Sequence, residues 1–281
     1  MITTTRIRSE NDLFQTLAAL RTNRVKRNKR REFLFEGVRN INNALRYGWD
    51  VRGWLFAPER PMSDWARGVL TDTSVPRYEL PVDLLAKLSA KDEVSELLAL
   101  AAIPPDDLAR IPARPCPLLL VFDRPASPGN LGTLIRSCDA LGVDGLVVTG
   151  HAVDVYDPAT LSAATGSLFA LPVVRVASHR ELEPWLAALR GQFPQLQVVG
   201  TDEGAPMALG AADFRRPTLL LAGNEARGLS AAYQTLCDQL VRIPMQGSAS
   251  SLNVACASSI VLYEIQRQRF PSAATPAPSA V

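Results

Sequence analysis

Three short loops in the second half of the chain follow apolar, strand-like runs and expose small or polar residues. They are Asn130–Arg136, Gly223–Gly228 and Pro244–Asn253. In the third loop, Pro244 ends a strand because proline has no N–H to give to a sheet. A strand, an exposed loop and a capped helix together present bare N–H and C=O groups to a small polar ligand. An ordinary strand-to-helix turn is the alternative interpretation of any one of them.

None of these loops carries a known nucleotide fingerprint. No Gly-x-Gly-x-x-Gly follows the first strand of this half, and no Gly-x-x-x-x-Gly-Lys-Ser/Thr is present, which disfavours dinucleotide-dependent enzymes and nucleoside triphosphatases. In an open parallel sheet, ligands bind beyond the carboxyl ends of the strands. We therefore expect the three loops to converge on a single site of another kind.

The elements that must position the loops alternate between strands and helices. Leu118–Phe122 is a continuous apolar run typical of a buried parallel strand, and Thr218–Ala222 and Val241–Ile243 are further strands. After the first loop, a helix is predicted over the apolar positions from Leu134 to Leu141. This alternation indicates a parallel sheet with helices on both faces.

The last helix is predicted to begin at about Leu252. Ser250 or Ser251 could cap it, because a hydroxyl at that position accepts from a free N–H of the first turn. Four residues recur at helical spacing and share one face of this helix: Leu252, Cys256, Ile260 and Tyr263.

The first half of the chain contains a smaller alternating α/β layer. Between Pro104 and Pro117 lie five prolines, which disfavour helix and strand alike. We therefore predict a domain at residues 1–103, a linker at 104–117, a second domain at 118–270 and a disordered Pro/Ala/Ser-rich tail at 271–281.

Composition excludes several classes of protein. The four cysteines contain no Cys-x-x-Cys pair and there are only two histidines, which argues against a structural zinc site and against a disulfide framework. No run approaches the roughly 18–20 apolar residues that span a membrane. The first residues lack an apolar signal core, so we expect a cytoplasmic protein.

Arg21–Arg31 carries seven basic residues and no acidic one. Such a run is either a solvated helix face or a surface that contacts nucleic-acid phosphates. We favour the second interpretation because structured sequence lies on both sides of the run. The candidate RNA contacts are Arg24, Lys26, Arg27, Lys29, Arg30 and Arg31.

Five segments together resemble the SpoU/TrmH family of RNA ribose 2′-O-methyltransferases, in the knotted SPOUT superfamily. The family's three motifs resemble NLGTLIR (130–136), LLLAGNEARGLS (219–230) and IPMQGSASSLNVACASSIVLYE (243–264). DVYDPATLSAATGSLFALPV (154–173) is similar to the segment between the first two motifs. FLFEGVRNINNAL (33–45) is similar to the start of the family's N-terminal domain of ribosomal-protein L30e-like fold. The order and spacing of these pieces are highly specific to the family.

The resemblance implies an α/β fold in which the C-terminal parallel sheet holds a trefoil knot, preceded by a smaller L30e-like domain that binds the RNA substrate. It implies S-adenosylmethionine as methyl donor and a homodimer formed through the methyltransferase domain. DRPASPGNLGTLIRS (123–137) looks most similar to the avilamycin-resistance type, which acts on a uridine of 23S rRNA. A tRNA substrate, and a non-catalytic RNA-binding module of the same fold, stay open as alternatives.

The same resemblance assigns site residues. Backbone groups of the second and third motifs would hold the donor at Gly223, Ile243, Leu252, Leu221, Asn224, Met245 and Ser251. The family gives the proton transfer from the ribose hydroxyl to the arginine of the first motif, here Arg136. Because a guanidinium is rarely a base, we expect Arg136 at least to bind an RNA phosphate and orient the 2′-hydroxyl.

Four further polar residues have a catalytic and a structural interpretation each. Asn130 could hydrogen-bond the substrate or hold the loop, or it could simply be a turn residue after Pro-Gly. Glu225 could hold Arg136 or Asn253, or could simply be a charge at a helix N-terminus. Ser251 and Asn253 could orient substrate or donor, and both could also cap the last helix.

Overall fold

The computed structural model describes residues 2–270, which divide into two compact units. The first unit contains the residues up to Pro105 together with Asp154–Ala170. The second contains Asp106–Val153 and the residues from Leu171 onward. The predicted tail at 271–281 lies outside the described residues. No helix within residues 2–270 has both the length and the apolar character that crossing a membrane requires.

The first unit is built on a mixed five-stranded sheet in the order β1–β4–β3–β5–β2. Its strands are β1 (Thr4–Arg6), β2 (Glu32–Glu36), β3 (Val51–Phe56), β4 (Arg77–Glu79) and β5 (Leu98–Ala102). Its helices are α1 (Asp12–Thr22), α2 (Arg24–Arg30), α3 (Val38–Arg46), α4 (Asp64–Asp72), α5 (Val82–Leu88), α7 (Pro158–Ala164) and α8 (Ser167–Ala170). The predicted alternation of strands and helices in this half is confirmed.

Aromatic side chains explain why Asp154–Ala170 packs in the first unit, although it lies inside the range 118–270 that we predict as the second domain. The ring of Phe33 lies 4.8 Å from that of Tyr156, and the ring of Phe35 lies 4.7 Å from that of Phe169. The indole N–H of Trp49 donates to the carbonyl of Phe169 at 2.9 Å. Such edge and offset contacts add to the free energy of burial.

The second unit is built on a parallel seven-stranded sheet in the order β10–β12–β9–β11–β6–β7–β8. Its strands are β6 (Leu118–Asp123), β7 (Gly145–Thr149), β8 (Val173–Val176), β9 (Gln197–Thr201), β10 (Met207–Ala208), β11 (Thr218–Ala222) and β12 (Gln239–Arg242). Its helices are α6 (Pro128–Ala140), α9 (His179–Gln192), α10 (Ala231–Gln234) and α11 (Val254–Arg269). The predicted α/β class with a parallel sheet is therefore confirmed.

Two helix starts differ from the prediction. Helix α6 begins at Pro128 rather than near Leu134, because the Ser127 hydroxyl accepts from the N–H of Asn130 and caps the helix. Helix α11 begins at Val254, and its cap is Asn253 rather than Ser250 or Ser251.

The face of α11 predicted from helical spacing points to solvent, not to the core. Its four members are exposed, with Ile260 at 40% and Tyr263 at 62% of their full accessibility. The opposite face packs inward through Ala255, Ser258, Val261, Leu262 and Ile265. The helical spacing is correct, but α11 has two faces with apolar residues, and the face with the smaller residues is the one that packs in the core.

Residues 106–117 of the proline-rich stretch belong to the second unit, whereas Pro104 and Pro105 belong to the first. Asp106 forms an ion pair with Arg175 at 2.7 Å, and Leu108–Arg110 makes a turn of 3₁₀ helix. Gly145 is required beside this stretch, because a Cβ there would lie 2.7 Å from the side chain of Ile111. Proline excludes regular secondary structure here without making the segment a free linker.

Candidate functional site

A cavity of about 390 Å³ lies at the carboxyl ends of three neighbouring strands of the second unit, β9, β11 and β12. Its walls come from the segment after each strand and from the start of α11. The lining residues are Thr201, Asp202, Glu203, Gly223, Asn224, Glu225, Ala226, Arg227, Gly228, Val241, Ile243, Met245, Ser251, Leu252, Val254 and Ala257. The second and third predicted loops therefore meet at this cavity.

The second loop is a tight backbone turn that only glycine can begin. Asn224 and Gly228 exchange two backbone hydrogen bonds, of 3.0 and 2.9 Å. A Cβ on Gly223 would lie 2.3 Å from the carbonyl carbon of Gly228 and 2.4 Å from the nitrogen of Leu229. Gly228 itself has φ +63°, in the left-handed region. Close approach of two backbone segments thus shapes this wall of the cavity.

Side chains from all three loops form one hydrogen-bond chain. The amide of Asn130 donates to Oε1 of Glu225 at 3.2 Å, and the amide of Asn253 donates to Oδ1 of Asn130 at 2.9 Å. Oδ1 of Asn253 accepts from the N–H groups of Ala255 and Cys256 and so caps α11. The three loops are therefore fixed relative to one another by polar contacts with good geometry.

Glu225 holds the start of α6. Its carboxylate accepts from the backbone N–H groups of Ala126 and Ser127 at 2.9 to 3.1 Å, where a negative charge also complements the helix dipole. The predicted contact of Glu225 with Arg136 is wrong, and its link to Asn253 runs through Asn130. Asn130 is not a residue of a free turn, because it lies in the first turn of helix α6.

Arg136 stands apart from the cavity. Its side chain is exposed on α6, it does not line the cavity, and it makes no hydrogen bond or ion pair to the part of the chain described, residues 2–270. A structural arginine on a packed helix usually has a partner, as Arg27 does. An exposed guanidinium without one is available for a ligand.

Six of the seven residues predicted to hold the donor line the cavity: Gly223, Asn224, Ile243, Met245, Ser251 and Leu252. Leu221 does not, because it is a buried core residue within β11. Sequence reasoning missed the wall contributed by β9, including Thr201, Asp202 and Glu203. Only the order β12–β9–β11 shows that β9 ends between the two motif strands.

Thiol and phenol groups near the sheet do not offer a nucleophile. Burial raises the pKa of the Cys138 thiol well above its usual range and that of Cys237 to about 11. Tyr233, on the helix that follows the second loop, is 3% exposed, and its burial raises the pKa of its hydroxyl to about 12. All three groups therefore stay protonated near neutral pH.

The basic segment, Arg21–Arg31, belongs to the first unit and divides into two kinds of residue. Arg24, Lys26, Lys29 and Arg30 are exposed, and Arg31 is half-buried with its guanidinium donating to the carbonyls of Ile103 and Pro104. Arg27 is 2% exposed and pairs with Asp154 at 2.7 Å. The predicted RNA contact at Arg27 is therefore wrong: its charge is used inside the protein.

Comparison with known proteins matches both halves of the chain to one family. The profile of the SpoU rRNA methylase family matches residues 117–263, and that of the SpoU L30e-like domain matches residues 11–99. A 23S rRNA (uridine(2479)-2′-O)-methyltransferase of Streptomyces viridochromogenes is 50% identical over 94% of this chain and 92% of its own length. The 23S rRNA (guanosine(2553)-2′-O)-methyltransferase RlmP of Bacillus subtilis is 31% identical over 85% of this chain and 90% of its own length.

Among solved structures, the SpoU methyltransferase AviRb of Streptomyces viridochromogenes, in complex with the cofactor AdoMet, matches with a TM-score of 0.89. It is 50% identical and the match covers 92% of this chain and 98% of that one. A rRNA methyltransferase of Sinorhizobium meliloti with bound AdoMet matches with a TM-score of 0.83 at 28% identity, over 94% of this chain and 98% of that one. As the motifs predict, this chain belongs to the SpoU rRNA methylase family.

Proposed function

We propose that this protein transfers the methyl group of S-adenosylmethionine to a ribose 2′-hydroxyl of 23S rRNA, with a uridine as the methylated nucleotide. The observation that carries the proposal is the single cavity at which the second and third motifs meet, fixed to the first motif by the Glu225–Asn130–Asn253 chain. Two relatives that match 94% and 85% of this chain are named for 2′-O-methylation of 23S rRNA, one at a uridine and the other at a guanosine.

The cavity fits the methyl donor. Its volume of about 390 Å³ lies in the range of small-molecule sites. Gly223 lets two backbone segments approach closely, and Met245 and Leu252 each leave 39% of their surface exposed beside polar loop residues. Apolar side chains and open backbone groups suit an adenine ring and its ring nitrogens, while Asp202 and Glu203 suit hydroxyl or ammonium groups.

When bound, S-adenosylmethionine supplies an electrophilic methyl group on a positively charged sulfur. Methyl transfer would join the carbon to the ribose oxygen, would leave the electron pair of the broken carbon–sulfur bond on sulfur, and would require an acceptor for the hydroxyl proton. The protein must therefore orient the hydroxyl in line and accept or share its proton. Arg136 would bind the adjacent phosphate through its planar fork, and Asn130 would help to keep the first motif beside the donor.

We further propose a homodimer through the methyltransferase domain, in which Arg136 of one subunit serves the cavity of the other. Arg136 does not line the cavity of its own subunit, and the neighbouring helix α11 exposes Ile260 and Tyr263. Exposed apolar side chains on one helix face are typical of an interface with a second copy.

Methyl transfer from labelled S-adenosylmethionine to 23S rRNA transcripts, followed by mapping of the 2′-O-methyl group, tests the function. We expect one methylated uridine with the wild-type chain and a loss of at least about a hundredfold in kcat for Arg136→Lys, because lysine cannot form the bidentate contact. Arg180→Lys, on α9, is the control and should be neutral. Methylation of tRNA in place of 23S rRNA would support the tRNA alternative. Absence of S-adenosylmethionine binding in calorimetry would support the non-catalytic module.

Mixed dimers test which subunit supplies Arg136. A subunit with Arg136→Ala keeps its cavity, and a subunit with Gly223→Val keeps its arginine but has a distorted cavity. If the arginine acts across the interface, the mixed dimer contains one complete site and about half of the wild-type activity returns. If the arginine acts within its own subunit, neither site is complete, and activity stays at the level of the separate variants.

The exposed members of the basic segment are proposed as RNA contacts: Arg24, Lys26, Lys29 and Arg30. Each phosphate contact contributes about one unit to the slope of log affinity against log salt. Resistance to avilamycin-type antibiotics stays a prediction from the motif resemblance, and growth of an antibiotic-sensitive bacterium that expresses the gene is its test.

A further inference from the structure

A second cavity, of about 450 Å³, lies within the first unit and belongs to none of the motifs described above. Strands β2 and β5 and helices α5 and α7 contribute its apolar walls, which are Leu34, Phe35, Leu88, Leu98 and Leu161. Every one of these side chains is buried. The cavity is wide enough for a nucleoside, and its apolar walls suit the faces of a flat ring.

Asn40, one of the residues that line this cavity, has a buried polar atom without a partner among residues 2–270. Nδ2 of Asn40 donates to the carbonyl of Glu36 at 2.7 Å, which fixes the orientation of the amide. Its Oδ1 is buried and accepts no hydrogen bond within residues 2–270. A buried acceptor without a donor is unfavourable, and a ligand N–H would satisfy it.

The two acids that line the cavity are hydrogen-bonded by protein groups, whereas the two cations have no acidic partner among residues 2–270, although Nη1 of Arg21 donates to the carbonyl of Lys87 at 2.7 Å. The carboxylate of Glu36 accepts from the hydroxyl of Ser89 and the N–H of Ala90, and that of Asp157 accepts from the N–H of Ala159 and lies 3.5 Å from Arg27. The two cations are Arg21 and Lys91. Neither forms an ion pair to any described residue between 2 and 270. Two cations without an acidic partner among residues 2–270, beside an apolar cavity, favour a ligand with a phosphate.

From these three features we infer that the cavity binds an unpaired nucleoside of the RNA substrate, with an N–H of its base donated to Oδ1 of Asn40 and its phosphate near Arg21 and Lys91. Proteins read single-stranded RNA by this combination of an apolar surface for the base, hydrogen bonds to its edge and basic residues for the backbone. The inference rests on the proposed function in that it takes RNA as the substrate. It adds a recognition site in the first unit, separate from the donor cavity.

Two substitutions block the cavity in different ways. Ser162 is an exposed lining residue on α7, so Ser162→Trp fills the cavity from its surface with little cost to the fold. Asn40→Leu keeps the size of the side chain and removes the unpaired acceptor. We expect Ser162→Trp to weaken RNA binding about tenfold or more and Asn40→Leu about fivefold, since they remove base stacking and one hydrogen bond respectively. Thr71→Trp, exposed on α4 away from the cavity, is the matched control and should bind RNA like wild type.

The experiment uses the full chain and 23S rRNA transcripts that contain 4-thiouridine or 6-thioguanosine. Light should produce an adduct on Phe35 or Leu161 in the wild type and in Thr71→Trp, and this adduct should be lost in Ser162→Trp. Both cavity variants should bind S-adenosylmethionine normally and raise the KM for RNA with little change in kcat, because a contact remote from the reacting atoms is made equally in ground and transition states.

The inference is overturned if the wild-type chain gives no adduct on the cavity residues, or if Ser162→Trp binds RNA as tightly as Thr71→Trp. Its failure differs from failure of the proposed function. If the wild-type chain methylates 23S rRNA and both cavity variants bind and methylate it like wild type, only the inference about the second cavity is refuted. A wild-type chain that binds S-adenosylmethionine but methylates no 23S rRNA refutes the proposed function, and the adduct then decides about the cavity separately.

Discussion

The loops around the donor cavity and the basic segment Arg21–Arg31 use their polar side chains in opposite ways. Around the cavity, Asn130, Glu225 and Asn253 form a hydrogen-bond chain that fixes the three loops relative to one another. In the basic segment, most cations point to solvent. The comparison teaches that a motif of specific residues indicates a fixed local geometry. A run of like charges indicates only a charged surface, and single residues within it can have other roles.

Arg27 offers the largest test of this contrast. Its guanidinium pairs with Asp154 at 2.7 Å and donates to the carbonyls of Leu20 and Arg21, with 2% of the residue exposed. Arg27→Met leaves a buried carboxylate without its partner, so we expect the free energy of unfolding to fall by about 3–5 kcal/mol in urea denaturation.

Lys29→Met is the matched control, because Lys29 is an exposed neighbour in the same helix. It should change the free energy of unfolding by no more than about 0.5 kcal/mol. It should also weaken RNA binding and reduce the slope of log affinity against log salt concentration by about one unit. The double variant Arg27→Met/Asp154→Leu should recover much of the lost stability. Equal stability of Arg27→Met and Lys29→Met would show that Arg27 is not held as the structure has it.

Gly223 tests the fixed geometry of the loops around the cavity. A valine there would place Cβ 2.3 Å from the backbone of Gly228, so the turn must open and the cavity wall must move. We expect Gly223→Val to weaken S-adenosylmethionine binding at least about a hundredfold in calorimetry, as displacements near one ångström do at pre-organised sites. Gly191→Ala, in α9 with no atom within 4 Å of the new Cβ, should bind normally. Normal binding by Gly223→Val would mean that the ligand does not use this wall.

Asn253 permits its two roles to be separated. Asn253→Asp keeps the oxygen that caps α11, but it replaces the amide that donates to Asn130 at 2.9 Å with a second oxygen. We expect wild-type stability and about a tenfold lower kcat for methyl transfer. Asn253→Ala should lose about 1 kcal/mol of stability in addition, because the cap is also lost. If Asn253→Asp retains full activity, the chain between the loops is a structural device that catalysis does not need.

The same contrast explains how far the sequence could predict the molecule. The strand Thr218–Ala222 was predictable to the residue because its run of apolar side chains is typical of a buried strand in a parallel sheet. The start of α11 was not, since Ser250, Ser251 and Asn253 all have side chains that can cap. The choice depends on the contact of Asn253 with Asn130, far away in the chain.

Long-range order accounts for the remaining differences. The contribution of Thr201, Asp202 and Glu203 to the cavity depends on β9 lying between β11 and β12, and no local pattern states that order. The burial of Arg27 likewise depends on Asp154, which is 127 positions away. Local periodicity predicts the elements and the motif resemblance predicts which loops line the cavity, but neither predicts which charged side chain has a partner.

Tyr233 tests the fixed geometry of the loops around the cavity, and its substitution has the smallest expected effect. It lies on α10, directly behind the second loop, and burial raises the pKa of its hydroxyl from 10.0 to about 12. Because the folded-state pKa is above the unfolded value, its contribution to stability is fully present below about pH 10 and is lost as the pH rises toward about 12. We expect the urea midpoint of the wild type to fall across this window more steeply than that of Tyr233→Phe. Tyr263→Phe, at an exposed position, should follow the wild type. Identical pH profiles for all three chains would mean that α10 opens to solvent before the fold is lost, and that the second loop is less fixed than its contacts indicate.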